Sequence, residues 1–251
     1  MKKRKTIAAL VLLAAIGMMA YAGTGLAAAR QVYQQGNAVY EDLSNQVKKD
    51  LSSNASAPTP QADVPPLEID FDTLRTISAD AAAWLYCPGT AIDYPVMKAD
   101  DYNYYLNHLP DGTQNANGSL FIDYNNASDF SGQLTVIYGH HMKSGSMFGS
   151  LKGYKEQRYY DKNPTMNLYT RQGNYRIDLL YGCVIGAGQW RERAFMYAEN
   201  VNALLAYAAY NTTFDSDTVY AQGDRIVAMS TCSYEFDGAR YVVIGVLRET
   251  D

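Results

Sequence analysis

The chain has 251 residues, of which 47% are hydrophobic, so it is long enough for one sizeable domain with a real core and additional segments. Its formal net charge at pH 7 is −5, which argues against a general nucleic-acid-binding role, since such proteins usually present a basic face. Four of the 21 basic residues lie at positions 2–5, so the chain from residue 6 onward carries 17 basic and 26 acidic residues, a net charge of −9.

An uncharged run of 24 residues, TIAALVLLAAIGMMAYAGTGLAAA at 6–29, follows the basic cluster. A helix of about 20 apolar residues spans a bilayer, and a basic flank stays in the cytoplasm. The rival interpretation is a cleaved signal peptide, because the small residues in LAAAR offer a cleavage site. The run is longer than a usual signal-peptide core, so we favour an uncleaved single-pass anchor. Under both interpretations, the rest of the chain is exported.

A helix is predicted for residues 31–51, because apolar residues recur every four positions at Val39, Leu43, Val47 and Leu51. The next segment, SSNASAPTPQADVPP, is rich in serine, alanine and proline and indicates a linker. We therefore divide the chain into a basic tail and membrane anchor at 1–29, a helix and linker at 30–66, and a folded domain at 67–251.

The folded domain is predicted to be mainly β. A short helix at 71–77 leads into a strand around Trp84, and seven strand-like segments follow: YPVM, SLFID, LTVIY, MNLYT, NYRIDLLYGCVIG, IVAMST and RYVVIGVL. The segment at 200–210, NVNALLAYAAY, has the apolar spacing of a helix, and GSMFGSLKGY indicates one or two helical turns. Eight short strands separated by glycine, asparagine and aspartate turns favour a closed barrel or a sandwich.

The chain has three cysteines, at positions 87, 183 and 232. An odd number in an exported protein leaves at least one unpaired or bonded to another chain. Cys87 and Cys183 lie in apolar, strand-like runs, so we predict that each is a small buried hydrophobic residue. Cys232 differs, because polar side chains surround it in the segment MSTCSYE.

The segment IVAMSTCSYEFDGARYVVIGVL places Cys232 at the end of one predicted strand and Arg240 at the start of the next. A nucleophilic thiolate needs a neighbouring base or charge. Two of the three histidines, His140 and His141, also follow a predicted strand, LTVIY. Arginine offers five donors and stays charged, so Arg240 suits the oxyanion that forms when a Cys232 thiolate attacks a carbonyl.

Ordinary roles for these residues remain open at this point. An arginine at a strand start is usually a solvated surface residue, and a histidine pair after a strand is usually a loop feature. No spacing rule joins residue 140 to residue 232. No metal or cofactor is expected, because neither CxxC nor HExxH accompanies the histidine pair and no glycine-rich phosphate loop is present.

Two motifs, VIYGHHMKSGSMFGSL and MSTCSYEFDGARYVVIGVL, resemble those of the sortases, and of class B in particular. Upstream, IDFDTLRTISADAAAWLYCPGTAIDYPVM resembles the entry segment of class B, and YYLNHLPDGTQNANGSLFIDY resembles the segment that follows it. The resemblance covers about residues 67–248. The helix at 200–210 falls where class B sortases carry a helix between two late barrel strands, and the helix at 31–51 also suits the class.

The resemblance implies a closed eight-stranded sortase-type β-barrel and a membrane-anchored cysteine transpeptidase of Gram-positive bacteria. Such enzymes cut a C-terminal sorting pentapeptide of a secreted protein after its threonine. They hold the acyl part as a thioester and pass it to an amine of peptidoglycan precursor or of a pilin. The catalytic domain would be extracellular and the N-terminus cytoplasmic, with the membrane contacted through one N-terminal helix.

The resemblance also implies roles for individual residues. By motif, Cys232 is the nucleophile, Arg240 stabilises the oxyanion, and the histidine directly after Gly139, His140, transfers protons. His141 stands at a position where the family varies, so we interpret it as non-catalytic. The resemblance implies that the substrate groove is lined by Ser230, Thr231 and Glu235.

Several alternatives remain open from the sequence. A cysteine peptidase acting on cell-wall peptides would release its acyl product to water, and a catalytically inert surface-binding barrel would leave Cys232 unreactive. The sorting motif and the choice between a wall cross-bridge and a pilin lysine are undecided. An isolated thiol and an isolated imidazole are both mostly neutral at pH 7. Either the pKa values of the Cys232–His140 pair are therefore shifted, or a minor ion-pair population reacts.

Overall fold

The structure is a computed structural model that describes residues 2–50, 67–98, 100–191 and 201–250. Side chains are described for these residues except 2–14, 28, 29 and 50. The predicted linker at 52–66 lies outside the described residues, as does Leu51.

The N-terminal part consists of a long helix and a small sheet. Helix α1 spans Lys2–Val47, and strand β1 (Lys48–Asp50) pairs antiparallel with β2 (Leu67–Ile69). The prediction that the helix reaches residue 51 is therefore wrong. The backbone at 48–50 pairs with β2 instead, so tertiary pairing overrides the local helical periodicity at this end.

The apolar face of α1 packs as its spacing predicts. Leu43 and Val47 are buried in a cluster with Trp84, and Val39 packs against the barrel core. The helix runs without a break across position 29, and the division of the chain into three segments stays a prediction. Among residues with described side chains, no helix is long and apolar enough to cross a membrane. Residues 6–14 of the predicted anchor lie outside that set.

Helix α2 (Phe71–Ile77) leads into the barrel, as predicted, and Asp70 caps it by accepting from the Thr73 amide at 2.9 Å. The barrel strands in chain order are β3 (Ala81–Tyr86), β4 (Asp93–Lys98), β5 (Leu120–Ile122), β6 (Leu134–Tyr138), β7 (Thr165–Thr170), β8 (Asn174–Gly186), β9 (Arg225–Cys232) and β10 (Ala239–Thr250).

These eight strands close into a barrel in the order β10–β8–β7–β3–β4–β5–β6–β9. The β4–β5 and β6–β9 pairs are parallel, and the other pairs are antiparallel. The predicted closed eight-stranded barrel is therefore confirmed. Sequence patterns did not predict strands β1 and β2 or the short helices α3 (Gln157–Lys162) and α4 (Ala187–Arg191).

Alternate residues of β9 and β10 face two different hydrophobic clusters. Val227, Met229 and Val243 lie in the interior core of the barrel. Ala228 and Val242 lie on the opposite face, in an outer cluster that is covered by helix α5 (Val201–Tyr210). The buried side of α5 is formed by the four residues that its spacing predicts: Val201, Leu204, Leu205 and Ala208.

Two of the three cysteines belong to this packing. Cys87 and Cys183 are both 0% exposed, which confirms the prediction that they are small buried hydrophobic residues. Burial raises the pKa of the Cys87 thiol and raises that of Cys183 to about 12, because a thiolate is poorly solvated there. Neither is therefore suited to act as a nucleophile at neutral pH.

Candidate active site

The ends of β6 and β9 lie side by side at one rim of the barrel. Their parallel pairing ends at Tyr138 opposite Ser230. Backbone contact continues one residue further, because the Gly139 amide donates to the Ser230 carbonyl at 3.2 Å. His140 follows Gly139 just beyond the end of β6, and Cys232, two residues after Ser230, is the last residue of β9. Sheet register thus brings together two motifs that are far apart in the sequence.

Arg240 joins this rim from the other side of Cys232. The antiparallel β9–β10 pair places Arg240 directly opposite Cys232. Directly opposed residues carry their side chains on the same face, with Cβ atoms about 4.5–5.5 Å apart. Strand alternation puts both on the face of the outer cluster, and both are half-buried. The thiol and the guanidinium therefore share one face at the barrel rim.

The His140 ring is held by a backbone carbonyl. Its Nε2 donates to the Leu106 oxygen at 2.7 Å, since a carbonyl can only accept. In the neutral ring this leaves Nδ1 without a proton and able to accept one. Leu106 ends the short 3-10 helix Tyr104–Leu106.

Gly139 lets the backbone before His140 lie close against the barrel core. A Cβ at this position would lie 2.4 Å from Leu120 Cδ2 and 2.7 Å from Phe148 Cδ2, and both of those side chains are fully buried. A side chain at residue 139 would therefore require the core beneath His140 to move. The Phe148 amide also donates to the His140 carbonyl at 3.0 Å, which further fixes the backbone there.

His141 also contacts the site, although sequence reasoning assigned it no role. Its Nδ1 donates to the backbone carbonyl of Cys232 at 2.7 Å. Its ring packs edge-on against Tyr234, with 5.1 Å between the centroids. His141 therefore holds the backbone at Cys232, a contact that depends on the β6–β9 register and has no signal in the local sequence.

The loop between Cys232 and Arg240 is tied to the 3-10 segment Phe148–Lys155, which follows the histidine pair. The Glu235 carboxylate accepts from Lys155 Nζ and from the Ser233 hydroxyl. Partial burial would raise the pKa of Glu235, but these hydrogen bonds outweigh burial and lower it to about 2. Lys155 Nζ also lies 5.0 Å above the Tyr241 ring. Sequence reasoning missed Lys155.

No family model matches the chain, but individual known proteins resemble it. Sortase B of Listeria monocytogenes serovar 1/2a is 30% identical over 178 residues, which cover 69% of this chain and 72% of the relative. This chain belongs to the sortase B family. Family, fold and enzyme class are thus as the sequence motifs predicted, and the chain is a cysteine transpeptidase.

Solved sortase B structures share the fold. The Bacillus anthracis sortase B superposes with a TM-score of 0.71 at 26% identity, covering 87% of this chain and 99% of that chain. A Staphylococcus aureus sortase B–substrate complex also gives a TM-score of 0.71, covering 87% of this chain and 98% of that chain. Because the identity is only 24%, the second comparison supports the fold and nothing further.

The three predicted substrate contacts of this sortase B lie close to the thiol, in different environments. Thr231 is 3% exposed and its hydroxyl donates to the Gly139 carbonyl at 2.8 Å. Ser230 is 1% exposed, and its hydroxyl has no hydrogen-bond partner among the described residues. Glu235 is exposed and bonded to Lys155. The catalytic and substrate-binding roles of individual residues stay predictions.

Proposed function

We propose that this sortase B cleaves a C-terminal sorting pentapeptide of secreted proteins after its threonine and transfers the acyl group to an amine of peptidoglycan precursor or a pilin. We assign the chemistry to Cys232, His140 and Arg240. The observation that carries this assignment is the sheet register, which brings all three motif residues to one rim. Cys232 is also the one cysteine of the three that is not fully buried.

In the first half-reaction, the Cys232 thiolate attacks the threonine carbonyl carbon and a C–S bond forms. The carbonyl oxygen takes the electron pair and becomes an oxyanion, which Arg240 stabilises with its fixed charge. Collapse of this intermediate breaks the C–N bond. The departing amine takes a proton from the imidazolium of His140, and a thioester remains on Cys232.

In the second half-reaction, an incoming amine attacks the thioester carbonyl and Arg240 again holds the oxyanion. The amine loses a proton to the now neutral His140 ring, and the C–S bond breaks to regenerate the thiolate. Because Nε2 of His140 donates to Leu106, we assign the transferred proton to Nδ1. Another sortase B has been solved complexed with triglycine, which motivates an amine-bearing peptide as the acceptor to test first.

We also propose that the enzyme acts outside the cell, with residues 6–29 as a single-pass membrane anchor and the N-terminus in the cytoplasm. The support is the uncharged run behind a basic cluster. Membrane fractions washed at alkaline pH should retain the protein, and N-terminal sequencing should find its first residues. A mature N-terminus near residue 30 would instead establish a cleaved signal peptide.

The reaction is tested with the full chain and quenched peptides that carry NPxTx, LPxTG and SPxTG-like motifs, with and without hydroxylamine. We expect a hydroxamate at the threonine carbonyl by mass spectrometry. Cys232→Ala should abolish this product, and Cys183→Ala is the matched control that should retain it, because Cys183 is buried. Free acid alone, unaffected by amine, would favour a peptidase. No cleavage, with Cys232 inert to iodoacetamide, would favour a binding barrel.

A further inference from the structure

The N-terminal helix is bonded to the loop that lies beside His140. Asn115 Nδ2 donates to the Val32 carbonyl of α1 at 2.9 Å. Asn117 Nδ2 lies 3.3 Å from the Tyr33 carbonyl and 3.2 Å from Asn37 Oδ1. Both asparagines are buried although they are polar, so these bonds to α1 satisfy groups that would be costly to leave unpaired. Helix α1 therefore stabilises the conformation of this loop.

Tyr40 of α1 reaches furthest into the same loop. It is 6% exposed, and its hydroxyl donates to the Gly118 carbonyl at 2.5 Å. The hydroxyl also lies 3.0 Å from Ser119 Oγ, which itself donates to the His108 carbonyl at 2.9 Å. One side chain of the N-terminal helix thus bonds residue 118 of the loop directly and contacts residue 119.

Gly118 lies close to both His140 and the carbonyl that holds it, with no room for a side chain between them. Its φ is +57°, and a Cβ there would lie 2.7 Å from the Leu106 oxygen and 3.0 Å from His140 Cδ2. The Ser119 amide donates to the Tyr105 carbonyl at 2.8 Å, which couples the loop to the helix that ends at Leu106. A shift of residues 118–119 would therefore move the His140 ring or its hydrogen-bond acceptor.

We propose that Tyr40 is a positioning residue for His140. Its hydroxyl holds Gly118, Gly118 packs against the imidazole and against Leu106, and the Leu106 carbonyl fixes the Nε2–H tautomer. Consequently α1, through Tyr40, helps to hold the His140 ring in position. The effect on catalysis rests on the proposed role of His140, whereas the effect on the ring itself does not.

The three histidines provide a readout that is separate from activity. His108 Nδ1 lies 2.7 Å from the Tyr104 carbonyl, and His141 Nδ1 lies 2.7 Å from the Cys232 carbonyl. Because carbonyls only accept, these two rings carry the proton on Nδ1 when neutral, whereas His140 carries it on Nε2. Imidazole ¹⁵N spectra of the full chain, at a pH that keeps the rings neutral, should show two Nδ1–H rings and one Nε2–H ring.

The test compares Tyr40→Phe with Tyr160→Phe in the full chain. Tyr160 is the matched control, because it is also buried but lies on α3, where its hydroxyl donates to Ser216 at 2.8 Å. We expect Tyr40→Phe to weaken the Nε2–H signature of His140 and to lower kcat about 10- to 100-fold with KM within about twofold, since misplacement of a reacting group acts on the chemical step. Tyr160→Phe should leave both unchanged.

A second variant covers the case in which Tyr40→Phe folds poorly. Asn37 is exposed on α1, so Asn37→Ala keeps the helix and removes one bond to Asn117. It should shift His140 in the same direction with a smaller loss of kcat. An unchanged His140 spectrum in both variants would overturn the proposal, whatever the rate. A changed spectrum with an unchanged rate would uphold the positioning and refute the proposed role of His140 in proton transfer.

Discussion

Gly139→Ala should lower both the stability of the enzyme and its kcat. The new Cβ would lie 2.4 Å from Leu120 Cδ2 and 2.7 Å from Phe148 Cδ2, and both distances are shorter than the contacts that Cβ atoms make in real structures. Both neighbours are fully buried in the barrel interior, so neither has free space to enter. Overpacking of this kind costs about 1–3 kcal/mol. Because residue 139 precedes His140, relief of the clash should displace the imidazole.

Chemical denaturation measures the loss of stability, and steady-state transpeptidation measures the effect on kcat. Gly132→Ala is the matched control, because a Cβ there would meet only the Leu134 carbonyl, at an ordinary 3.6 Å. It should change stability by no more than about 0.5 kcal/mol. If Gly139→Ala were as stable and as active as Gly132→Ala, the close packing beneath His140 would not be needed, and the steric reasoning would be wrong.

Three further outcomes are expected. Arg240→Ala should lower kcat about 10²–10³-fold, because the oxyanion loses its fixed donor; a loss within about threefold in steady-state assays would refute that role. Glu235→Gln should remove about 1 kcal/mol of stability at neutral pH, an amount discounted because the carboxylate is partly exposed. Its pKa is lowered to about 2 in the folded state, so the wild type should lose this contribution as pH falls from about 4.5 towards 2. Denaturation curves of the two proteins should therefore converge in acid, and a constant gap would contradict the Lys155–Glu235 contact. Iodoacetamide should label Cys232 alone in the native protein, because the other two cysteines are 0% exposed; mass mapping of a label on either of those would contradict the packing.

Patterns that repeat over a few residues were sufficient for most individual elements. The spacing of Val201, Leu204, Leu205 and Ala208 predicted helix α5 and its buried face, and the structure confirms both. The apolar runs around Cys87 and Cys183 predicted their burial in the same way. Helical and strand periodicities are local properties, so they can be read without knowledge of what an element packs against.

Local periodicity was misleading where a distant strand competed for the backbone. Residues 48–50 lie between Val47 and Leu51 of the apolar spacing that predicted a helix, yet they form β1 because β2, about 20 residues later, offers hydrogen-bond partners. Lys155 carried no pattern that marked it, and its role as a partner of Glu235 depends on two loops that meet only in the folded barrel.

The sequence by itself determined the barrel class, the buried face of α5, the buried cysteines and, through its motifs, the family. Only the tertiary structure decided how the motif residues meet. The parallel β6–β9 register brings His140, just beyond the end of β6, and Cys232, at the end of β9, to the same rim. The β9–β10 register places Arg240 opposite Cys232, and loop 115–119 links His140 to Tyr40 of α1. The β6–β9 register depends on hydrogen bonds and side-chain packing between segments some 90 residues apart, which no local pattern along the chain encodes.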